Sequence, residues 1–231
     1  MDIRFSSKAF VRKLAAGVVI LTLIHLFFQA GKFVFGHDYA MGLLAMFDLD
    51  DEFNIPSIYS FLLYLTAAKY FGWLAYDSSQ NRKPFTLHWT GLCIIFVWLG
   101  LDEMLMIHEQ WTDFIRASLH TRGFLFYAWQ IPYFLFLAAI LPLYWPLWKP
   151  LDKKTRMRVT IAAVLFLTGA VVFESLGGWR YAGIDANKDA LYMIFATIEE
   201  VLEMSGLIVL IYGILEQARK EIGTVKVAWT E

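Results

Sequence analysis

Long apolar runs separated by short polar stretches are the main pattern along the chain. Runs of membrane length lie near residues 13–35, 56–76, 86–108, 123–146, 157–177 and 190–215. A transmembrane α-helix needs about 20 predominantly apolar residues, and each run is close to that length. No internal repeat or soluble domain is visible between them. The pattern therefore predicts an all-α integral membrane bundle of six transmembrane helices, which forms a single domain over residues 1–231.

The composition agrees with this interpretation. Hydrophobic residues make up 58% of the chain and charged residues 18%, with a mean hydropathy of +0.52. A soluble domain has about 45–50% apolar and about 25% charged residues, so we expect this chain to lie in a lipid bilayer. The net charge of −1 produces no field that would attract nucleic acid, and we expect no such partner.

Prolines and glycines indicate where some of the predicted spans begin, bend and end. Pro56 lies at the start of the second span, where a first-turn proline costs no backbone hydrogen bond. Pro132 and Pro142 lie within the fourth span and are expected to kink it. Gly177 and Gly178 are expected to end the fifth span. The first apolar run has no small-residue cleavage site after it, so we expect it to be retained as a transmembrane helix.

The distribution of lysine and arginine predicts the orientation of the bundle. These residues are concentrated in the N-terminal arm, the second–third loop, the fourth–fifth loop and the C-terminal tail; they are Arg4, Lys8, Arg12, Lys13, Arg82, Lys83, Lys149, Lys153, Lys154, Arg156, Arg158, Arg219, Lys220 and Lys226. With an even number of spans, all of these regions fall on one side of the membrane. Because basic loops stay in the cytoplasm, both termini are expected there.

Ionisable side chains are concentrated in what this orientation makes the outer half of the third, fifth and sixth spans. They are Asp102, Glu103, His108, Glu109, Glu174, Glu199, Glu200 and Glu203. An ionised carboxylate at the centre of a bilayer costs about 2.5–3.5 kcal/mol, so these groups must be protonated, paired, hydrated or bound to a metal. Glu199 and Glu203 are four residues apart on a helix face that continues through Gly206, and this favours a face that points into the bundle.

Three interpretations of these groups stay open. In the first, they belong to a structural polar network that basic residues of the outer side neutralise; the candidates are Arg116, Arg122, Arg180 and Lys188, with Glu174 and Arg180 as an easy pair. In the second, the acids bind a metal ion. In the third, they belong to a proton or cation pathway, although the inner half of the bundle offers Lys69, His88 and little else as further stations.

A metal site is the leading hypothesis, because carboxylates with an imidazole suit hard or borderline cations such as iron or manganese. The expected ligands are Asp102, Glu103, His108, Glu174, Glu199 and Glu203, with Glu109 and Glu200 as acid–base groups beside them. His25 is interpreted as a hydrogen-bonded core residue, with a second imidazole ligand as the alternative. The expected function is a metal-dependent membrane enzyme that acts on a lipid-phase small molecule. The alternative is a non-catalytic subunit of a larger membrane complex, or a protein that handles protons or cations.

The segment between the third and fourth spans, QWTDFIRASLHTRGF, is amphipathic. It predicts a helix that lies along the membrane plane and could act as a lid. An aromatic belt at the level of the lipid headgroups is expected on the same side, formed by Trp111, Trp179, Tyr181 and Tyr192.

Four segments also resemble a group of bacterial multi-pass membrane proteins. They are FDLDDEFNIPS, LDEMLMIHE, FESLGG and TIEEVLEMSG, with the motifs DExxxxHE and EExxEM as their most specific part. The resemblance covers most of the chain. It implies a six-span architecture in the bacterial inner (cytoplasmic) membrane, and it implies no activity.

Overall fold

The computed structural model describes residues 6–37, 40–184 and 187–223. This part of the chain is helical and contains no β-strand, which confirms the predicted all-α fold. The α-helices are α1 (Ser7–Phe35), α2 (Leu43–Phe47), α3 (Ile55–Gln80), α4 (Thr86–Leu105), α5 (Ile107–Leu119), α6 (Gln130–Trp148), α7 (Lys153–Leu167), α8 (Glu174–Gly183) and α9 (Ala190–Ile222). A π-helical segment, Thr168–Phe173, joins α7 to α8. Arg4 and Lys226, which were counted for the orientation, lie outside the described residues.

Four helical segments of the described part are long and apolar enough to cross a membrane. They are α1, α4, α6 and the continuous segment Lys153–Gly183 that contains α7 and α8. The predicted second and sixth spans correspond to α3 and α9, which have 26 and 33 residues but do not meet the same criterion of apolarity and charge. At 1.5 Å per residue, both are nevertheless longer than the hydrocarbon core of a bilayer, which is about 30 Å thick.

Helices α3 and α9 form the centre of the molecule. They pack against each other, while α1 and α7 pack on α9 and α4 packs on α3. The largest fully buried apolar side chains come from these two helices, with Leu63 and Leu74 on α3 and Met204 and Ile211 on α9. Since lipid chains are as apolar as leucine, close packing rather than removal from water holds such a core together.

Glycines allow α9 to approach its neighbours closely, in agreement with the small residues on its acidic face. A Cβ atom added at Gly206 would lie 2.9 Å from the carbonyl oxygen of Ala162 and the backbone nitrogen of Phe166 in α7. A Cβ atom added at Gly169, in the π-helical segment, would lie 2.7 Å from the carbonyl oxygen of Glu199. The backbones of these segments therefore touch, as at the small-residue interfaces of membrane helices.

Contacts between chain segments define two ends of the bundle. At one end, which we call the basic end, Arg219 donates to Ser7 Oγ over 3.0 Å and Lys83 donates to the carbonyl oxygen of Glu221 over 3.2 Å. At this end Lys220 also pairs with Asp152, with 2.5 Å between Nζ and Oδ2. The start of α1, the α3–α4 loop, the α6–α7 loop and the end of α9 thus share the basic end. The α1–α3 connection, α5 and the α8–α9 loop lie at the other end, the acidic end.

The third predicted span, 86–108, is too long at its C-terminal end. Helix α4 ends at Leu105 because Met106 adopts the left-handed conformation with φ 54°, which a continuous α-helix does not accept. A separate helix, α5, follows and contains most of the predicted amphipathic segment. His108 and Glu109 therefore lie in the first turn of α5 and not at the end of the span.

The fourth and fifth predicted spans, 123–146 and 157–177, also differ from the structure. Helix α6 begins only at Gln130, so Pro132 lies in its first turn, and the prolines inside the helix are Pro142 and Pro146. The fifth segment continues through Gly177 and Gly178 to Gly183. A Cβ atom added at Gly178 would lie 2.9 Å from the ring of Tyr127, so this glycine permits close packing and does not end the helix.

Candidate polar site at the acidic end

Asp102 is the most clearly organised of the predicted site residues. Its side chain is buried near the end of α4. Oδ2 accepts a hydrogen bond from the Tyr133 hydroxyl over 2.7 Å and lies 3.3 Å from Nδ1 of His108. Oδ1 is buried and has no hydrogen-bond partner among the described residues. One oxygen of this carboxylate is thus fixed between α5 and α6, and the other is available to a further group.

His108 takes its position from the break at Met106, which turns the first residues of α5 back towards α4. Its imidazole packs against the indole of Trp129, with 4.8 Å between the ring centres. Burial alone would lower the pKa of His108, but the hydrogen bond and the charge of Asp102 outweigh it and raise the pKa to about 9. His108 is therefore an imidazolium at neutral pH.

Glu174 lies where the π-helical segment ends and α8 begins. Its buried carboxylate accepts a hydrogen bond of 2.6 Å from Nε1 of Trp129. The neighbouring Gln130 is also buried; it donates to the carbonyl oxygen of Ala170 over 3.3 Å and accepts from Ser175 over 3.2 Å. A π-helical turn frees backbone carbonyls from the regular pattern and is frequent at functional sites.

Glu199, Glu200 and Glu203 lie on the part of α9 that faces this region. The charge of Glu199 interacts with those of Glu174 and Glu203. Glu203 interacts in turn with Glu103 and Glu174, and Glu200 interacts with Glu103 and Glu203. Acids from α4, α8 and α9 are thus electrostatic neighbours. None of the three α9 glutamates forms a hydrogen bond or salt bridge within the part of the chain that the structure describes.

Glu52, in the α1–α3 connection, is a neighbour of these acids that the sequence patterns did not single out. Its charge interacts with that of Glu103, and Oε2 is buried without a hydrogen-bond partner in residues 6–37, 40–184 and 187–223. Burial and the charge of Glu103 raise the pKa of Glu52 to about 8. The signal was present in the acidic run DLDDE, which ends two residues before Asn54, the N-cap of α3.

The α1–α3 connection is anchored by His25, which is almost completely buried. Nδ1 accepts the backbone N–H of Leu49 over 3.0 Å, so the proton of the neutral ring must be on Nε2, which lies 2.9 Å from Thr197 Oγ1. The Thr197 hydroxyl donates to the carbonyl oxygen of Met193 and can accept a hydrogen bond from Nε2–H of His25. Asp48 lies 3.3 Å from Nδ1 and is not an ion-pair partner in this tautomer. His25 is therefore a hydrogen-bonded core residue.

Lys188, in the α8–α9 loop, connects this loop to the α1–α3 connection at the acidic end through two ion pairs. Nζ lies 2.5 Å from Asp50 and 3.2 Å from Asp51. Asp50 also accepts a hydrogen bond of 2.9 Å from Tyr192, whose hydroxyl lies 3.3 Å from that of Tyr127. Burial alone would lower the pKa of Lys188, but the charges of Asp50 and Asp51 outweigh it and raise the pKa.

One of the three open interpretations paired the site acids with outer basic residues, and its suggested Glu174–Arg180 pair does not form. Arg180 pairs with Asp189 over 2.5 Å, so Glu174 has Trp129 as its partner and not Arg180. Arg116 pairs with Asp113 on the surface of α5. Among the described residues, the only salt bridge made by a predicted site acid joins Asp102 to His108. Glu109 is exposed at the rim of the site.

The predicted metal ligands do not form a ready coordination shell. Among residues 6–37, 40–184 and 187–223, no group of three or more His, Cys, Asp and Glu side chains is arranged to hold a metal ion. The closest oxygen–nitrogen pair of the predicted set is Asp102 with His108. The site is thus a set of acids with one imidazole that interact electrostatically.

A family model described as "Domain of unknown function (DUF8692)" matches residues 13–218. The chain belongs to this family. The DUF8692 match includes all of α3, α9 as far as Ala218, and every residue of the polar site. Comparisons with curated proteins and with solved structures give no match.

Proposed function

We propose that this DUF8692 protein is a six-span protein of the bacterial inner membrane whose acidic end takes up cations from the extracytoplasmic side. Protons are the species that the arrangement suits best. The receiving groups are Glu52, Glu103, Glu200 and Glu203, which we call the acidic group, with the Asp102–His108 pair beside them.

One observation carries the proposal. The members of the acidic group interact with each other electrostatically, and no basic side chain of the described ranges forms a salt bridge with any of them. The only nearby cation among the described residues that acts on Glu52 and Glu103 is His108, which is paired with Asp102. Carboxylates that outnumber their cations cannot all be ionised, because each negative charge disfavours the next. An ionised carboxylate within a bilayer would add about 2.5–3.5 kcal/mol of unfavourable free energy. Carboxyl groups that hold protons, and release them at higher pH, remove both costs.

Along α9 towards the basic end, the described residues offer no matching path for protons. Between Glu203 and Glu216, α9 carries no charged side chain, and its buried residues there are apolar ones such as Leu207 and Ile211. We therefore propose exchange with one side of the membrane only. Such a site can act as an acid–base group for a lipid-phase substrate, or as a pH-responsive element in a subunit of a larger complex.

The orientation follows from the charges of the two ends. The basic end collects the lysine- and arginine-rich segments, and basic segments stay in the cytoplasm. The two termini of the described chain lie at this end, because Arg219 near the end of α9 contacts Ser7 at the start of α1. The acidic end is then extracytoplasmic.

The test compares Glu203→Gln with Glu221→Gln, a matched change at the basic end, in the purified protein. If Glu203 holds a proton near neutral pH, glutamine replaces it with little loss of stability, and the pH dependence of thermal unfolding becomes flatter. Glu221→Gln leaves that dependence unchanged. A Glu203→Gln protein that loses several degrees in melting temperature at neutral pH and keeps the original pH dependence would contradict protonation of this residue.

A metal-dependent membrane enzyme acting on a lipid-phase small molecule is the second candidate. It is favoured by the buried Oδ1 of Asp102, which has no partner in the described part of the chain, and by the adjacent imidazole of His108. Iron or manganese would suit this donor set. Metal analysis of protein purified from native membranes decides this point: a stoichiometric metal that is lost in Asp102→Asn and Glu199→Gln supports the enzyme, and its absence removes this candidate.

A further inference from the structure

An open cavity lies outside the polar site, between the C-terminal part of α5 and the end of α8. It has a volume of about 700 Å³. The lining residues that matter for its chemistry are Arg116, His120, Thr121, Arg122, Phe126 and Trp179. Both arginines and the histidine come from one stretch of seven residues, and the tryptophan comes from the opposite wall.

The cavity carries an excess of positive charge. Arg116 pairs with Asp113 over 2.6 Å, and its guanidinium lies 4.2 Å from the centre of the Phe126 ring. The side chain of Arg122 is exposed, and its guanidinium forms no hydrogen bond or salt bridge with any residue that the structure describes. Since Asp113 is the only acidic residue of the lining, one guanidinium remains without a counter-charge.

The position of α5 brings this cavity to the level of the lipid headgroups. Helix α5 connects two candidate spans, α4 and α6. Its apolar face is exposed, with Trp111, Phe114 and Leu119 at 57%, 68% and 57% exposure. A helix with one charged face and a second face rich in tryptophan, phenylalanine and leucine lies in the membrane interface with its apolar side among the acyl chains. Arg116, on the other side of α5, and Arg122, three residues after the helix ends, then lie at the level of the headgroup phosphates.

We propose that this cavity binds the phosphate of an anionic phospholipid. The free fork of Arg122 matches the geometry of a phosphate and can donate two parallel hydrogen bonds, while Arg116 retains N–H groups that Asp113 does not use. The acyl chains of the same lipid extend past α5 into the hydrocarbon region that its exposed apolar face also contacts. A zwitterionic lipid brings its own cation to the phosphate, so a net positive cavity favours an anionic headgroup.

The experiment measures lipid retention by native mass spectrometry of the full-length protein. The protein is purified in detergent and mixed with equal amounts of phosphatidylglycerol and phosphatidylcholine, with and without millimolar inorganic phosphate. The test variants are Arg122→Gln and the double variant Arg116→Gln/Arg122→Gln. Lys153→Gln/Lys154→Gln removes the same charge from exposed residues at the basic end and serves as the control.

We expect the wild type to retain phosphatidylglycerol about tenfold better than phosphatidylcholine, since an arginine–phosphate contact contributes on the order of one tenfold step in affinity. Arg122→Gln removes most of this preference, the double variant removes it, and the control retains it. Equal retention of the two lipids by the wild type, or an unchanged preference in the double variant, would overturn the proposal. Release of the lipid by inorganic phosphate alone would assign the cavity to a free anion and would equally refute a lipid ligand.

Discussion

The Asp102–His108 pair shows at the scale of single residues how the acidic end depends on pH. The pKa of His108 is about 9 in the folded protein against 6.5 for an ordinary histidine, and that of Glu52 is about 8 against 4.5. In both cases the folded chain binds more protons than the unfolded chain between the two values. The free energy of unfolding must therefore decrease as the pH rises through these windows.

This gives a prediction for Asp102→Asn. In the wild type, the stabilisation from His108 is complete below pH 6.5 and is lost as the pH rises through about 9. Replacement of Asp102 removes the charge that holds the proton, so the decrease between these pH values becomes smaller. Chemical unfolding in detergent over this range measures it. Asp113→Asn, which alters an exposed pair on α5, is the control; an Asp102→Asn protein with the wild-type pH dependence would contradict the assignment.

A second prediction concerns His25. His25→Phe leaves the backbone N–H of Leu49 buried without its acceptor, which costs about 1–3 kcal/mol. We expect a lower melting temperature and earlier proteolysis in the α1–α3 connection. His37→Phe, at an exposed position, should leave both unchanged. If the two variants behave alike, His25 does not anchor this connection.

At the level of helices, local properties were predicted well from the sequence, and features that depend on contacts between helices were not. The apolar runs predicted the long helices because the helix period and length are local properties. The end of α4 was not predictable, since nothing in its apolar pattern marks Met106 as left-handed. Gly177 and Gly178 were interpreted as a helix end, yet the same residue type serves packing, and only the tertiary contact with Tyr127 distinguishes the two uses of Gly178.

The contact between α9 and α7 gives a prediction at this scale. Gly206→Ala places a methyl group 2.9 Å from backbone atoms of α7, and overpacking of this kind costs about 1–3 kcal/mol. Gly31→Ala in α1 has no neighbour within 4 Å and should stabilise the helix by about 0.5–1 kcal/mol. Thermal unfolding in one detergent compares the two. Equal effects of the same sign would show that α9 does not approach α7 this closely.

For the whole molecule, the sequence predicted which segments share an end but not which side chains meet. The charge pattern grouped the basic segments correctly, because charge is read directly from the residues. The neighbours of each acid depend on helix rotation and on the path of the α1–α3 connection. For this reason Glu52 was missed, and the Glu174–Arg180 pair suggested for a structural network is replaced by Arg180 with Asp189.

The orientation of the bundle is tested by labelling of single cysteines in a Cys93→Ala background. Asp113→Cys on α5 should react with a membrane-impermeant maleimide added from the extracytoplasmic side. Lys153→Cys at the start of α7 should react only after the membrane is opened. Both positions are exposed, so accessibility within the protein does not limit the reaction. Labelling of both positions from the same side would contradict the six-span arrangement.

Infrared spectroscopy of the protein in lipid, recorded as a function of pH, tests directly whether the acidic group holds protons. Protonated carboxyl groups absorb separately from carboxylates, so their number can be followed without reference to activity. We expect carboxyl groups of the acidic group to remain protonated at neutral pH and to lose their protons as the pH rises. The absorption of protonated carboxyl groups should be weaker in Glu203→Gln and unchanged in Glu221→Gln. A spectrum in which every carboxyl group is already ionised at neutral pH would contradict it.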